Sequence, residues 1–121
     1  MKREEITVSG LIKVIESGKS KEVRLRTWQI AQLFGVYQST VTANIKAIFK
    51  GDVIIPNLDC PLVQTGKTLL PEEYDLEMVI ALAFRIHTVE AREFRKWIMG
   101  KVIHKNNNMI IAMGLNNYQL N

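Results

Sequence analysis

The chain predicts an α+β fold: a helix-turn-helix, winged-helix-like core with short β-hairpins around it and two C-terminal helices. Three observations predict it. Residues 27–50 carry two helical patterns joined through a glycine, short stretches on either side alternate apolar with polar residues, and residues 74–104 carry two more apolar helical patterns. With 121 residues, 47% of them hydrophobic, residues 1–121 are expected to form a single domain of a size that dimerisation would help stabilise.

Residues 1–26 read as a β-hairpin. Residues 11–15 are apolar and β-branched, Ser17-Gly18-Lys19-Ser20 is turn-like, and Glu22-Val23-Arg24-Leu25-Arg26 alternates, which places Arg24 and Arg26 on the polar side. Residues 27–50 read as the helix-turn-helix. Thr27 is a suitable N-cap. Ala31 is small enough for a second helix to cross close over the first, and Gly35 tolerates the positive φ of a sharp inter-helix turn. Val36 packs under that turn. Past it Val41, Ile45, Ile48 and Phe49 make one apolar stripe, with Ser39, Thr42, Ala43, Lys46 and Lys50 on the other side.

Gly51-Asp52 stops the second helix, and residues 51–73 form a loop with a hairpin in the position of a wing: Leu62-Val63-Gln64, a turn at Thr65-Gly66-Lys67, then Thr68-Leu69-Leu70, with Lys67 at the tip. Pro71 breaks it. Within residues 74–104, Asp75 caps a helix whose Leu76, Met78, Val79, Ile80, Leu82, Ala83 and Phe84 are apolar nearly all round, as suits a core or a dimer interface. Thr88 caps the next, with Ala91, Phe94, Ile98 and Val102 facing in and Arg92, Arg95, Lys96 and Met99 facing out, where a solvated face competes with contact to DNA or an acidic partner. In residues 105–121, Lys105-Asn106-Asn107-Asn108 reads as a turn before an apolar tail suited to exchange with a second subunit.

The outer face of the helix after Gly35 has the chemistry of a groove reader. Base edges want short or amide-bearing side chains near the helix start, and phosphates want cations further along. Gln38 suits bidentate pairing with adenine, Thr42 suits a thymine methyl, Ser39 is short and hydrogen-bonding, and Tyr37 suits a sugar or phosphate. Lys46 and Lys50 follow, and the free amides behind Thr27 suit a phosphate. Charge agrees in place. Residues 19–51 hold Lys19, Lys21, Arg24, Arg26, Lys46 and Lys50 against Glu22, a local +5, whereas residues 52–79 hold Lys67 against six acidic side chains, a local −5.

Other chemistries are disfavoured. Gly18-Lys19-Ser20 and Gly66-Lys67-Thr68 resemble the end of a phosphate-binding loop, but the glycine required five residues upstream is Lys13 in one and Pro61 in the other. His87 and His104 stand seventeen apart with a lone Cys60, which argues against zinc, and no motif assembles a nucleophile with a base. No enzyme, cofactor or small-molecule ligand is expected. There is no run of eighteen apolar residues, residues 1–5 lead into no signal-peptide core, and a lone Cys suits a reducing compartment, so a cytoplasmic protein without membrane contact is expected.

Gly35-Val36-Tyr37-Gln38-Ser39, with Val41 and Ile45, resembles the helix-turn-helix of the lambda-type phage Cro repressors over about twenty residues. That likeness implies that Gln38, Ser39, Thr42 and Ala43 face base edges. Thr42 and Ala43 stand where that family has Asn and Lys, which implies a different operator and a backbone role for Lys46. A longer stretch, residues 20–104, resembles the RhuM-like family of bacterial DNA-binding proteins encoded near mobile elements. It does so through Val23-Arg24-Leu25, Asn44-Ile45-Lys46-Ala47-Ile48-Phe49, Gly66-Lys67, Tyr74-Asp75-Leu76, Ile80-Ala81, Phe84-Arg85 and Phe94-Arg95-Lys96-Trp97. Residues 50–74 depart most from that pattern. The expectation is sequence-specific binding of double-stranded DNA by a homodimer on an inverted repeat, as a transcriptional regulator or a mobile-element-associated protein. The alternative is a protein–protein interaction module that uses the helix-turn-helix as scaffold.

Overall fold

A chain with five amphipathic or apolar stretches can bury them only against each other, and here five helices and one two-stranded antiparallel hairpin, an α+β architecture, do so among the described residues. The computed structural model describes residues 5–56 and 60–112, with side chains up to residue 104. The helices are α1 (Val8–Glu16), α2 (Thr27–Phe34), α3 (Gln38–Lys50), α4 (Leu76–Ala83) and α5 (Val89–Ala112), and the strands are β1 (Leu62–Thr65) and β2 (Thr68–Pro71).

Residues 8–16 are helical, which corrects the hairpin expected over residues 1–26. Thr7 Oγ1 accepts from Gly10 N–H at 3.0 Å and opens the helix. Val8, Leu11, Ile12 and Ile15 then fall at i, i+3, i+4 and i+7 and face the core, while Val14 is left 39% exposed. The β-branched content suggested a strand, but the spacing of the buried positions has the helical period. A 3₁₀ turn (Ser20–Glu22) follows. The alternation expected in residues 22–26 is present, with Val23 buried and Arg24 and Arg26 exposed. Its partner is not residues 11–15, however. Leu25 forms an isolated antiparallel bridge with Tyr74, through Leu25 N–H to Tyr74 O at 2.9 Å and Tyr74 N–H to Leu25 O at 2.8 Å.

Thr27 is the first helical residue of α2, which corrects its expected place as the N-cap. The cap is Arg26, whose N–H is taken by Gln29 Oε1 at 2.8 Å, so the side chain that satisfies the helix start comes from inside the helix. Gly35 closes α2 at φ 66°, ψ 39°, and Val36 N–H reaches back to Ala31 O at 3.0 Å, a left-handed cap of the kind glycine supplies. α3 ends in the same geometry with Asp52 at φ 57°: Val53 N–H donates to Ile48 O and Asp52 N–H to Phe49 O.

The hairpin pairs Leu62 with Pro71 and Thr65 with Thr68, leaving Gly66 and Lys67 as a two-residue loop. Gly66 alone of the two has positive φ (62°), the pattern of a type II′ turn, and Lys67 is exposed at the tip. Asp75 caps α4 by accepting from Met78 N–H at 3.2 Å, and Thr88 caps α5 by accepting from Ala91 N–H at 3.2 Å, as the sequence predicted. α5 runs through residues 105–108, which corrects the turn expected there. Three asparagines each cost less than about 0.7 kcal/mol relative to alanine, and neither Gly nor Pro interrupts them. Residues 113–121, the end of the expected apolar tail, lie outside the described residues.

The core forms where α2, α3, α4 and α5 meet, with α1 against α5. Phe34, Phe94, Ile30, Leu33, Ile45, Ile48, Met78 and Leu82 are fully buried, and Phe34 and Phe94 stand 6.3 Å apart between ring centroids. Burying each such side chain contributes about 1.5 to 3 kcal/mol, so the back of α3 is tied firmly to the body of the protein. Val102 and Ile103 are about half exposed, so the inward stripe expected on α5 ends by Ile98. Among the described residues no helix is long and apolar enough to cross a membrane.

Candidate nucleic-acid interface

The surface of interest is built by α3. Val41, Ile45 and Ile48 are 0–1% exposed against the core, and this fixes the rotation of the helix. The opposite side must then face solvent: Gln38, Ser39, Ala43, Lys46 and Lys50 are exposed and Thr42 is half-buried. Because an α-helix turns about 100° per residue, Ser39, Ala43, Lys46 and Lys50 form the centre of that face. Gln38 and Thr42 flank it on one side, with Thr40 and Asn44 on the other. Tyr37, immediately before the helix, is 83% exposed.

Gln38 is held at one edge. Its Nε2 donates to Thr27 Oγ1 at 2.6 Å and links the first turn of α3 to the first turn of α2. A primary amide has two N–H donors and one carbonyl acceptor, so this bond leaves one donor and the acceptor, the pair that an adenine edge requires. Thr27 therefore works through its hydroxyl on Gln38 and not as the helix cap.

The cations predicted from the sequence do not all sit alike. Arg26 Nη1 lies 3.1 Å from Glu72 Oε1, an exposed ion pair joining the start of α2 to the base of the hairpin, so its charge is compensated. Arg24 is exposed and turns Nη1 onto the neighbouring Val23 carbonyl at 2.8 Å. Lys67 is carried at the hairpin tip, on a different element from Lys46 and Lys50. Of the second basic block, Arg92 and Lys96 are exposed, but Arg95 is not an outer-face cation. Its Nη1 donates to Ala83 O and to Ile86 O, each at 2.7 Å, and satisfies carbonyls at the end of α4.

A further exposed cation, to which the sequence pattern assigns no binding role, lies beside this face. Arg85 Nε donates to Asn44 Oδ1 at 3.0 Å, across 41 residues of chain. No linear pattern links the two positions.

Under the far end of α3, Phe49, Tyr74, Cys60, Arg24 and Met78 help line a cavity of about 80 Å³. Ligand pockets run from about 300 Å³ upward, so this one is too small for an organic effector. The Tyr74 hydroxyl is buried there without a hydrogen-bond partner, and burial first, with the Cys60 thiol second, pushes its pKa up to about 12. Among the described residues no three His, Cys, Asp or Glu side chains are grouped as a metal site would need.

Gly35 sets the spacing of the turn that presents α3. A Cβ added there would lie 3.0 Å from Glu90 Oε2 and 3.3 Å from Glu90 Cδ, in the first turn of α5. The positive φ favours glycine here, and an added Cβ would further require the Glu90 side chain to give way. In comparisons with known proteins, no family model, no curated protein and no solved structure matches the chain.

Proposed function

We propose that this protein binds double-stranded DNA with sequence preference, seating α3 in the major groove as the second helix of a winged-helix-like helix-turn-helix. The observation that carries the reading is the division of α3. Its back is wholly buried, and its outer side runs from amide and hydroxyl side chains at the N-terminal end (exposed Gln38 and Ser39, half-buried Thr42) to exposed lysines at the C-terminal end (Lys46, Lys50). Short polar groups for base edges followed by cations for phosphates is the order that a recognition helix needs. Lys67, on a two-residue hairpin loop, suits a wing on the adjacent backbone.

The role that fits is a transcriptional regulator or a mobile-element-associated DNA-binding protein, and the likeness of residues 35–45 to phage Cro repressors supports it. A homodimer would read an inverted repeat with half-sites about 34 Å apart. Selection of bound duplexes from a random pool tests this directly: an enriched palindromic motif is expected, and recovery of unenriched sequence would end the reading.

A second reading, a protein–protein interaction module, is favoured by a different surface. Val53, Ile55, Leu62, Val63 and Leu69 are 41–80% exposed on and before the hairpin. The two readings separate by salt. Duplex retention that falls steeply from low to moderate ionic strength supports DNA binding, and salt-independent capture of a protein supports the module.

A further inference from the structure

The link between Arg85 and Asn44 is more than an incidental surface bond, because everything around it is fixed. Arg85 lies just past α4, and its own N–H donates to Leu82 O at 3.0 Å. The carbonyls of Ala83 and Ile86, on either side of it in the chain, are both held by Arg95 Nη1. The partner is fixed as well. Asn44 Nδ2 donates to Thr40 O at 2.9 Å, which determines which end of the amide faces Arg85. Backbone and Nε are thus both held, on an exposed residue whose side chain would otherwise sample many rotamers.

Guanidinium has five N–H donors. The Nε–H is engaged by Asn44, which leaves the two Nη groups as an end-on fork, the arrangement that grips two oxygens of one phosphate. Among the described residues Arg85 forms no ion pair, unlike Arg26, which has Glu72. Asn44 lies on the flank of α3 away from Gln38 and Thr42, so the fork stands along the opposite edge of the exposed face.

We propose that Arg85 clamps a phosphodiester of the DNA backbone on the α4 side of α3, with Asn44 as its positioning residue. This rests on the reading of α3 as the groove-binding helix. Arg85 gives that helix a second backbone anchor, so that the duplex is held across the groove and the tilt of α3 is set.

Fluorescence anisotropy on a mixed-sequence duplex of about two helical turns, titrated with salt, tests the assignment in wild type, Arg85→Gln, Arg85→Lys, Asn44→Ala and Lys46→Ala. Glutamine keeps a donor for Asn44, so the variant is expected to melt with wild type. Arg85→Gln should reduce the slope of log affinity against log salt by about 0.9. Between about 50 and 200 mM salt it should then lose about 3.5-fold less affinity than wild type. Arg85→Lys and Asn44→Ala keep the charge and should keep the slope, with weaker binding at every salt concentration. An unchanged slope in Arg85→Gln beside a reduced one in Lys46→Ala overturns the clamp and leaves the reading of α3 intact. Wild type without salt-dependent binding overturns both.

Discussion

The amide of Gln38 and the hydroxyl of Thr27 meet at 2.6 Å, so the first turns of two successive helices are fastened at the point where α3 would enter a groove. Gln38 lies at the exposed start of its helix and would otherwise be free to rotate. Replacing Thr27 with Val keeps the shape and removes the acceptor. The expected result is a loss of about 0.5 to 1.5 kcal/mol in binding to the selected duplex, a net hydrogen bond's worth, with little change in melting temperature. Gln38→Ala should cost more, about 1 to 3 kcal/mol, and relax preference at one base pair. Anisotropy against the selected duplex and its single-base variants reads both. Equal binding by all three proteins would detach this edge of α3 from recognition.

Lys46 predicts a different signature. It is exposed near the centre of the face, past the first turns, where in the proposed docking a cation would meet phosphate and not a base. Lys46→Ala should weaken selected and scrambled duplexes alike and lower the salt slope by about 1. If it changed sequence preference without changing the slope, α3 would lie in the groove in an orientation that turns Lys46 to a base edge.

Gly35 and Glu90 make a separable pair. Gly35→Ala forces an L-residue to φ 66° and drives a methyl to 3.0 Å from Glu90 Oε2. The left-handed conformation alone costs about 1 to 2 kcal/mol, and displacing Glu90 adds to it. In the Glu90→Ala background the contact is gone and only the backbone cost remains. Urea unfolding of the four proteins of this cycle should therefore give a smaller penalty for Gly35→Ala when Glu90 is absent. Equal penalties would mean that Glu90 swings away freely.

The two helices around Gly35 were legible in the sequence because local rules decide them: a glycine where φ must be positive, and apolar residues at helical spacing. Asp75 and Thr88 were legible for the same reason, since a cap acts within three residues. In residues 8–16 β-branched content points to a strand while the spacing of the apolar positions has the helical period, and the core contacts of Val8, Leu11 and Ile15 decide in favour of a helix. The pairing of Leu25 with Tyr74, the capture of Arg95 by the end of α4, the neutralisation of Arg26 by Glu72 and the approach of Arg85 to Asn44 were not legible at all. Each joins residues 9 to 49 apart through tertiary packing, to which no one-dimensional period refers.

Tyr74 supplies the last prediction, and it concerns stability alone. Its ring is needed: it is buried, lies 6.4 Å from Phe49 between centroids, and its backbone pairs with Leu25. Its hydroxyl has no partner, and leaving a buried polar group unsatisfied costs about 1 to 3 kcal/mol. Tyr74→Phe should therefore leave the protein as stable as wild type or more stable at neutral pH. Burial raises the phenol from 10.0 to about 12, so the folded state keeps its proton where the unfolded chain has lost it. Stability from this group is intact below pH 10 and is lost as pH rises through 12, in total about 2.7 kcal/mol at about 1.4 kcal/mol per pH unit. Wild type should lose stability between pH 10 and 12 along a steeper curve than Tyr74→Phe when unfolding is followed by circular dichroism at each pH. Parallel curves would place the hydroxyl in contact with solvent.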